Sequence, residues 1–194
     1  MTIKQKSSVL MIILLLIAMV TGLPYLQFLF QSKQFYGHYN PKTVMSIPGV
    51  KTPASGINLV FFGFGDCTDT CPTQLANLLS IREHLNPDQV GFVYVALDAD
   101  AQKQDELQKA FRTWNAGFQV FVPDTVKQAQ KILRNYGGRA ADRGSHFPSS
   151  ERFSHDGWLY AVNGNSERLI IYGTPALEIA LVVEDLTKLL DTNG

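Results

Sequence analysis

Two stretches of eight residues, Ile57–Phe64 (INLVFFGF) and Val90–Leu97 (VGFVYVAL), are apolar almost throughout. A strand with one wet face alternates apolar and polar residues, so an unbroken run suits a strand covered on both faces. Between them, Leu75, Leu78, Leu79, Arg82 and Leu85 recur at helical spacing within Thr73–Leu85, which Asn86-Pro87 stops. Parallel strands need a long crossover, and a helix supplies one. This strand–helix–strand pattern restricts the chain to helices packed on a largely parallel sheet.

The pattern continues. Gln102–Trp114 reads as an amphipathic helix with Leu107, Ala110, Phe111 and Trp114 inward, and Phe118–Val122 as a short strand. Thr125–Tyr136 reads as a helix with Ala129, Ile132, Leu133 and Tyr136 in register. Gly157–Val162 and Leu169–Tyr172 are strand-like and flank Asn163-Gly164-Asn165, a hairpin turn signal. A last helix follows Pro175, carrying Leu177, Leu181, Val182, Asp185, Leu186 and Leu189. The order β-α-β-α-β-α-β-β-α contains the thioredoxin-type arrangement. The expected class is α/β, a thioredoxin-like fold with a central mixed sheet flanked by helices.

The N-terminus imposes a different demand. Every residue from Val9 to Val20 is apolar, and the stretch Val9–Phe30 has 22 residues. As a helix it measures about 33 Å, against a hydrocarbon core of roughly 30 Å. A buried core helix and a cleaved signal peptide are alternatives. Twelve apolar residues without a polar face disfavour the first, and the lack of a clean small-x-small site disfavours the second. The favoured reading is an N-terminal transmembrane helix, with Lys4 and Lys6 holding the start in the cytoplasm. No lipobox cysteine follows it. The expected division is 1–30 cytoplasmic start and anchor, 31–56 linker and irregular lead-in, and 57–194 folded domain. No Arg-rich amphipathic transit segment is present, which favours a single-pass protein of the bacterial inner membrane with its domain in the periplasm.

Composition narrows the chemistry. Seventeen basic residues balance seventeen acidic ones, which argues against nucleic acid as a partner. Two cysteines exclude a disulfide-dense scaffold and any four-cysteine zinc or iron–sulfur site. No phosphate-cradling glycine loop is present. One small redox or metal site remains.

Cys67 and Cys71 lie in Gly65-Asp66-Cys67-Thr68-Asp69-Thr70-Cys71-Pro72, after the first buried strand and before the first long helix. Sheets of this class place their sites at the carboxyl ends of strands. A helix N-terminus also favours thiolate over thiol. Three readings stay open: a functional dithiol, which is favoured, a structural disulfide, and two inert thiols. His155, in Ser154-His155-Asp156 just before the penultimate strand, is the candidate third donor. In a thioredoxin-like sheet that strand starts beside the first helix. A polar turn residue is the plainer reading of His155. His146 is the nearest rival, and His38 and His84 read as solvent-facing.

With these residues placed, the sequence resembles the Sco/SenC family of membrane-anchored, copper-binding, thioredoxin-like proteins of cytochrome oxidase assembly. The resemblance covers roughly Ile57 to the C-terminus. It rests on Phe61-Phe62-Gly63-Phe64, on the CxxxC pair followed by Pro72, and on His155 ahead of Trp158-Leu159-Tyr160. It departs at Thr68, where the family has proline, and at Asp66, often histidine. It departs again at Leu97-Asp98-Ala99-Asp100, which keeps only Asp98 of a longer segment.

The resemblance implies that Cys67, Cys71 and His155 are ligands for a copper ion, Cu(I) or Cu(II). It implies a metallochaperone for a copper centre of a respiratory terminal oxidase, with an oxidase subunit or another copper chaperone as partner. A thiol–disulfide oxidoreductase acting on partner cysteines is the alternative. A non-catalytic anchored interaction module with a structural disulfide is a third reading.

Overall fold

The computed structural model describes residues 11, 35–53, 56–64, 67, 70–98, 103–113, 118–143 and 153–193. The chain divides into two units, Met1–Gln34 and Phe35–Gly194, and the second carries the fold described below. The expected membrane anchor lies, apart from Met11, outside the described residues. Among the described residues no helix is long and apolar enough to cross a membrane.

The elements run β1 (His38–Thr43), β2 (Ile57–Gly63), α1 (Thr70–Arg82), β3 (Val90–Ala96), α2 (Lys103–Thr113), β4 (Phe118–Phe121), α3 (Val126–Tyr136), β5 (Ala140–Asp142), β6 (Phe153–His155), β7 (Leu159–Asn163), β8 (Glu167–Tyr172) and α4 (Ile179–Asn193). Six strands form one sheet in the order β1-β8-β7-β2-β3-β4. β2 pairs parallel with β3, and β3 with β4. β7 runs antiparallel to both β2 and β8. The result is the mixed α/β sheet that the strand–helix rhythm demands.

All seven residues of β2 are buried, as a strand with two covered faces requires. Successive side chains point to opposite faces. Ile57, Leu59 and Phe61 join the core shared with Leu78 and Ile81 of α1, Phe111 of α2 and Val182 and Leu186 of α4. Val60 and Phe62 face the other way, against Ile132, Leu133 and Tyr136 of α3. Burying each such large side chain contributes about 1.5–3 kcal/mol.

Several sequence expectations give way here. The segment read as linker and lead-in supplies an edge strand, β1, antiparallel to β8. All six of its residues are exposed, so no apolar period announces it. Pro41 cannot donate to a ladder and is tolerated because the strand is at the edge, where the register shifts between Tyr39 and Lys42. Val44 and Ile47, just beyond, are buried on the α3 side. Asp185 of α4 secures the approach, accepting the backbone N–H groups of Tyr36 at 3.0 Å and Gly37 at 2.9 Å.

The small β5–β6 hairpin was also not legible. Ala110 on α2, read as inward, is exposed, and so is Leu181 on α4, one position off the buried stripe of Val182, Asp185, Leu186 and Leu189. Trp114 lies outside the described residues.

Candidate metal centre

Register places the site. Leu159, at the start of β7, is opposite Phe61 near the carboxyl end of β2. The segment entering β7 therefore lies at the end of the sheet where β2 hands the chain to α1. His155 and the cysteines meet there although 84 residues separate His155 from Cys71.

α1 starts at Thr70, three residues earlier than the spacing suggested, so Cys71 sits in its first turn. Pro72 follows in that first turn, where its missing N–H costs no intrahelical bond. The Cys71 backbone N–H donates to Cys67 Sγ at 3.2 Å. Such an N-terminal donor, with the helix dipole behind it, stabilises negative charge on sulfur. Cys71 is buried and Cys67 is partly exposed. The two form a disulfide, with Cα atoms 5.7 Å apart.

His155 ends β6, paired with Ala140 of β5, rather than standing in an irregular turn. Its ring packs edge-on against Phe61 and Phe64, with centroids 5.9 Å and 5.5 Å away. Nε2 lies 3.6 Å from Cys71 Sγ. Nδ1 accepts the Gly157 N–H at 2.9 Å. Burial pulls its pKa down to about 4, against the opposing pull of Asp156. At neutral pH the imidazole is therefore uncharged, the form that ligates metals.

The donor atoms of Cys67, Cys71 and His155 all lie within 4.8 Å of one another, a group that could hold a metal ion. Of the other histidines, His38 on β1 and His84 beyond α1 are exposed, as expected. His84 Nδ1 is 2.8 Å from the Ser80 carbonyl oxygen. His146 lies outside the described residues, as do Asp66, Thr68, Ala99 and Asp100. Asp98 is partly buried just past β3, where its charge helps burial to hold the Tyr94 hydroxyl protonated.

Two supporting residues escaped the sequence reading. Gln74 is fully buried on α1. Its amide donates to the Gly157 carbonyl at 2.6 Å and lies 3.4 Å from the Thr174 carbonyl, while its oxygen accepts from Asn77. The signal was a polar residue among the buried positions 71, 78 and 81. Gly157 has φ of +65°, and a Cβ there would overlap the Thr70 methyl group. Helix α1 thus carries both Cys71 and the clamp on the turn after His155.

A groove of about 570 Å³ opens between α1 and α2, lined by Cys67 and Cys71 together with Phe64, Leu75, Tyr94 and Phe111. It presents a largely apolar surface next to the disulfide.

The model of the SCO1/SenC family matches residues 50–191. No curated protein matches the chain. Among solved structures, apo Sco1 from Thermus thermophilus is 24% identical, with a TM-score of 0.63 over 80% of this chain and 97% of that one. A SCO1/SenC family lipoprotein from Bacillus anthracis is 15% identical, with a TM-score of 0.60 over 81% and 98%. Arabidopsis thaliana ScoI, solved with copper bound, is 13% identical, with a TM-score of 0.60 over 79% and 98%. These likenesses show a common thioredoxin-like fold. The family match extends over most of the chain, from before β2 into α4, and the chain belongs to the SCO1/SenC family.

Proposed function

We propose that this protein is a copper metallochaperone that binds the ion through Cys67, Cys71 and His155 and passes it to a copper centre of a respiratory terminal oxidase. The observation that carries this reading is the convergence of two sulfurs and one uncharged imidazole within 4.8 Å. Two thiolates with one imidazole form a soft set that suits Cu(I), and the imidazole also suits Cu(II). Arabidopsis thaliana ScoI, of the same family, has been solved with copper bound. The disulfide must be reduced before both sulfurs can serve as thiolate ligands, so metal uptake is coupled to redox state.

The partly exposed Cys67 and the adjoining groove suit exchange with a partner's sulfur ligands. In this reading the apolar run Val9–Phe30 anchors the chain in the bacterial inner membrane and residues 57–194 work in the periplasm. The partner is an oxidase subunit or another copper chaperone.

A second reading is favoured by the disulfide itself. In the reduced protein one cysteine thiolate would attack a partner disulfide and release one partner thiolate, and the other cysteine would then break the mixed disulfide, freeing the second partner thiolate and leaving the Cys67–Cys71 disulfide seen here. The protein would then act as a thiol–disulfide oxidoreductase on partner cysteines.

Deletion of the coding sequence in the host tests the proposal. The terminal oxidase should assemble without its full copper content, and wild type should restore it where Cys71→Ser does not. A fully metallated oxidase in the deletion strain would refute the chaperone reading. Restoration by added copper salt would place the defect in metal supply, whereas restoration by an added dithiol alone would favour the oxidoreductase.

A further inference from the structure

We propose that the Asp156–Gly157 peptide positions His155 and reverses when the site passes from the disulfide state to the metal-loaded state, presenting its N–H in the first and its carbonyl in the second. This inference rests on the copper reading above.

The two ring nitrogens of His155 have different partners. Nδ1 accepts the Gly157 N–H at 2.9 Å, so Nδ1 carries no proton in this state. A neutral imidazole then bears its proton on Nε2, the atom 3.6 Å from Cys71 Sγ. Coordination through Nε2 needs that lone pair free, which moves the proton to Nδ1. Two N–H groups would then face each other across the Gly157 contact. The hydrogen bond seen here and a metal on Nε2 cannot coexist.

The ring has little freedom to resolve the conflict, because Phe61 and Phe64 pack edge-on against it. The peptide does have freedom. Gly157 sits at φ +65°, a conformation that costs glycine little, and from which it can turn to negative φ as easily. The flanks are fixed. The Asp156 N–H donates to the Arg139 carbonyl, and its carboxylate accepts the Arg139 N–H at 2.7 Å. The Gly157 carbonyl accepts from the buried Gln74 amide at 2.6 Å. Rotation about the two bonds flanking the Asp156–Gly157 peptide exchanges its N–H for the Asp156 carbonyl while both anchors hold. That carbonyl then accepts from Nδ1–H, the outer bond that metal-ligating histidines commonly make.

The steps balance. A dithiol reductant delivers two electrons and two protons to the Cys67–Cys71 bond and becomes a disulfide. Cu(I) then displaces the two thiol protons. The imidazole proton moves from Nε2 to Nδ1 with no net change on the ring.

The test uses the full chain, 15N-labelled, first as the disulfide and then reduced with dithiothreitol and loaded with Cu(I), with copper uptake measured separately by elemental analysis. Long-range 1H–15N spectra should show His155 protonated on Nε2 in the disulfide form and on Nδ1 in the loaded form. The Gly157 amide should be protected from hydrogen exchange in the first and exchange at least about tenfold faster in the second, the cost of one hydrogen bond. The same tautomer in both forms, or unchanged Gly157 protection with copper bound, would overturn the switch and leave the copper reading standing. Failure to take up copper would overturn that reading, and the switch with it. Gln74→Met removes the donor while keeping a similar side-chain length, so its disulfide form should lose at least about tenfold in Gly157 protection and show averaged ring tautomers. Wild-type behaviour in that variant would overturn the anchoring role of Gln74.

Discussion

Cys71 Sγ and His155 Nε2 stand 3.6 Å apart because Leu159 pairs with Phe61. One is set by the first turn of α1 and the other by the three-residue pairing of β5 with β6 just ahead of β7, so the site is fixed by strand register and not by local sequence.

The first prediction concerns the turn after His155. Gly157→Ala places a Cβ at φ +65° and against the Thr70 methyl group. The conformation alone costs roughly 1–2 kcal/mol, and the overlap adds to it. Gly164, in the β7–β8 turn, has open space around it, and Gly164→Ala should change stability by no more than about 0.5 kcal/mol. Urea unfolding midpoints of the two variants compare them directly, and equal losses would contradict the assigned strain.

The second concerns the edge strand. Asp185→Ala leaves the Tyr36 and Gly37 N–H groups without their carboxylate. Bonds to a charged acceptor are worth about 1.5–3 kcal/mol each, so a global loss of at least about 2 kcal/mol is expected. Amide exchange should rise first at residues 36 and 37 and along β1. Unchanged protection there would show that β1 is held by its ladder alone.

The third concerns alkaline pH. Burial raises the hydroxyl pKa of Tyr94, Tyr136, Tyr160 and Tyr172, with Asp98 adding to the shift at Tyr94 and Asp185 at Tyr172. In the unfolded chain these groups ionise near the ordinary value of about 10. Their contribution is therefore present below that pH and is lost as pH climbs past it, while the folded hydroxyls stay protonated. The urea midpoint should fall between about pH 9 and about pH 11, with most phenolate absorbance appearing only on unfolding. Titration of all the tyrosines in the folded chain would contradict their burial.

What the sequence disclosed follows from where physical signals are strong. β2 and β3 were legible because burial on both faces forces an unbroken apolar run. The cysteine pair was legible because it falls between such a run and a helix. β1 was not, since its six exposed residues carry no period and its place depends on bonds to β8 and Asp185. Gln74 looked like an ordinary helix residue until its amide was seen to hold a carbonyl 83 positions away. His155 was placed correctly at the mouth of β7, but the β5–β6 pairing that carries it is too short to leave a pattern.

The most direct test of the central claim is Cu(I) titration of the reduced chain, wild type against His155→Ala, read by competition with a chromophoric chelator and by X-ray absorption at the copper edge. Wild type should take up about one equivalent with two sulfurs and one nitrogen around the metal, and the variant should bind roughly tenfold or more weakly without the nitrogen. Equal affinity and the same copper environment in the two proteins would contradict that claim.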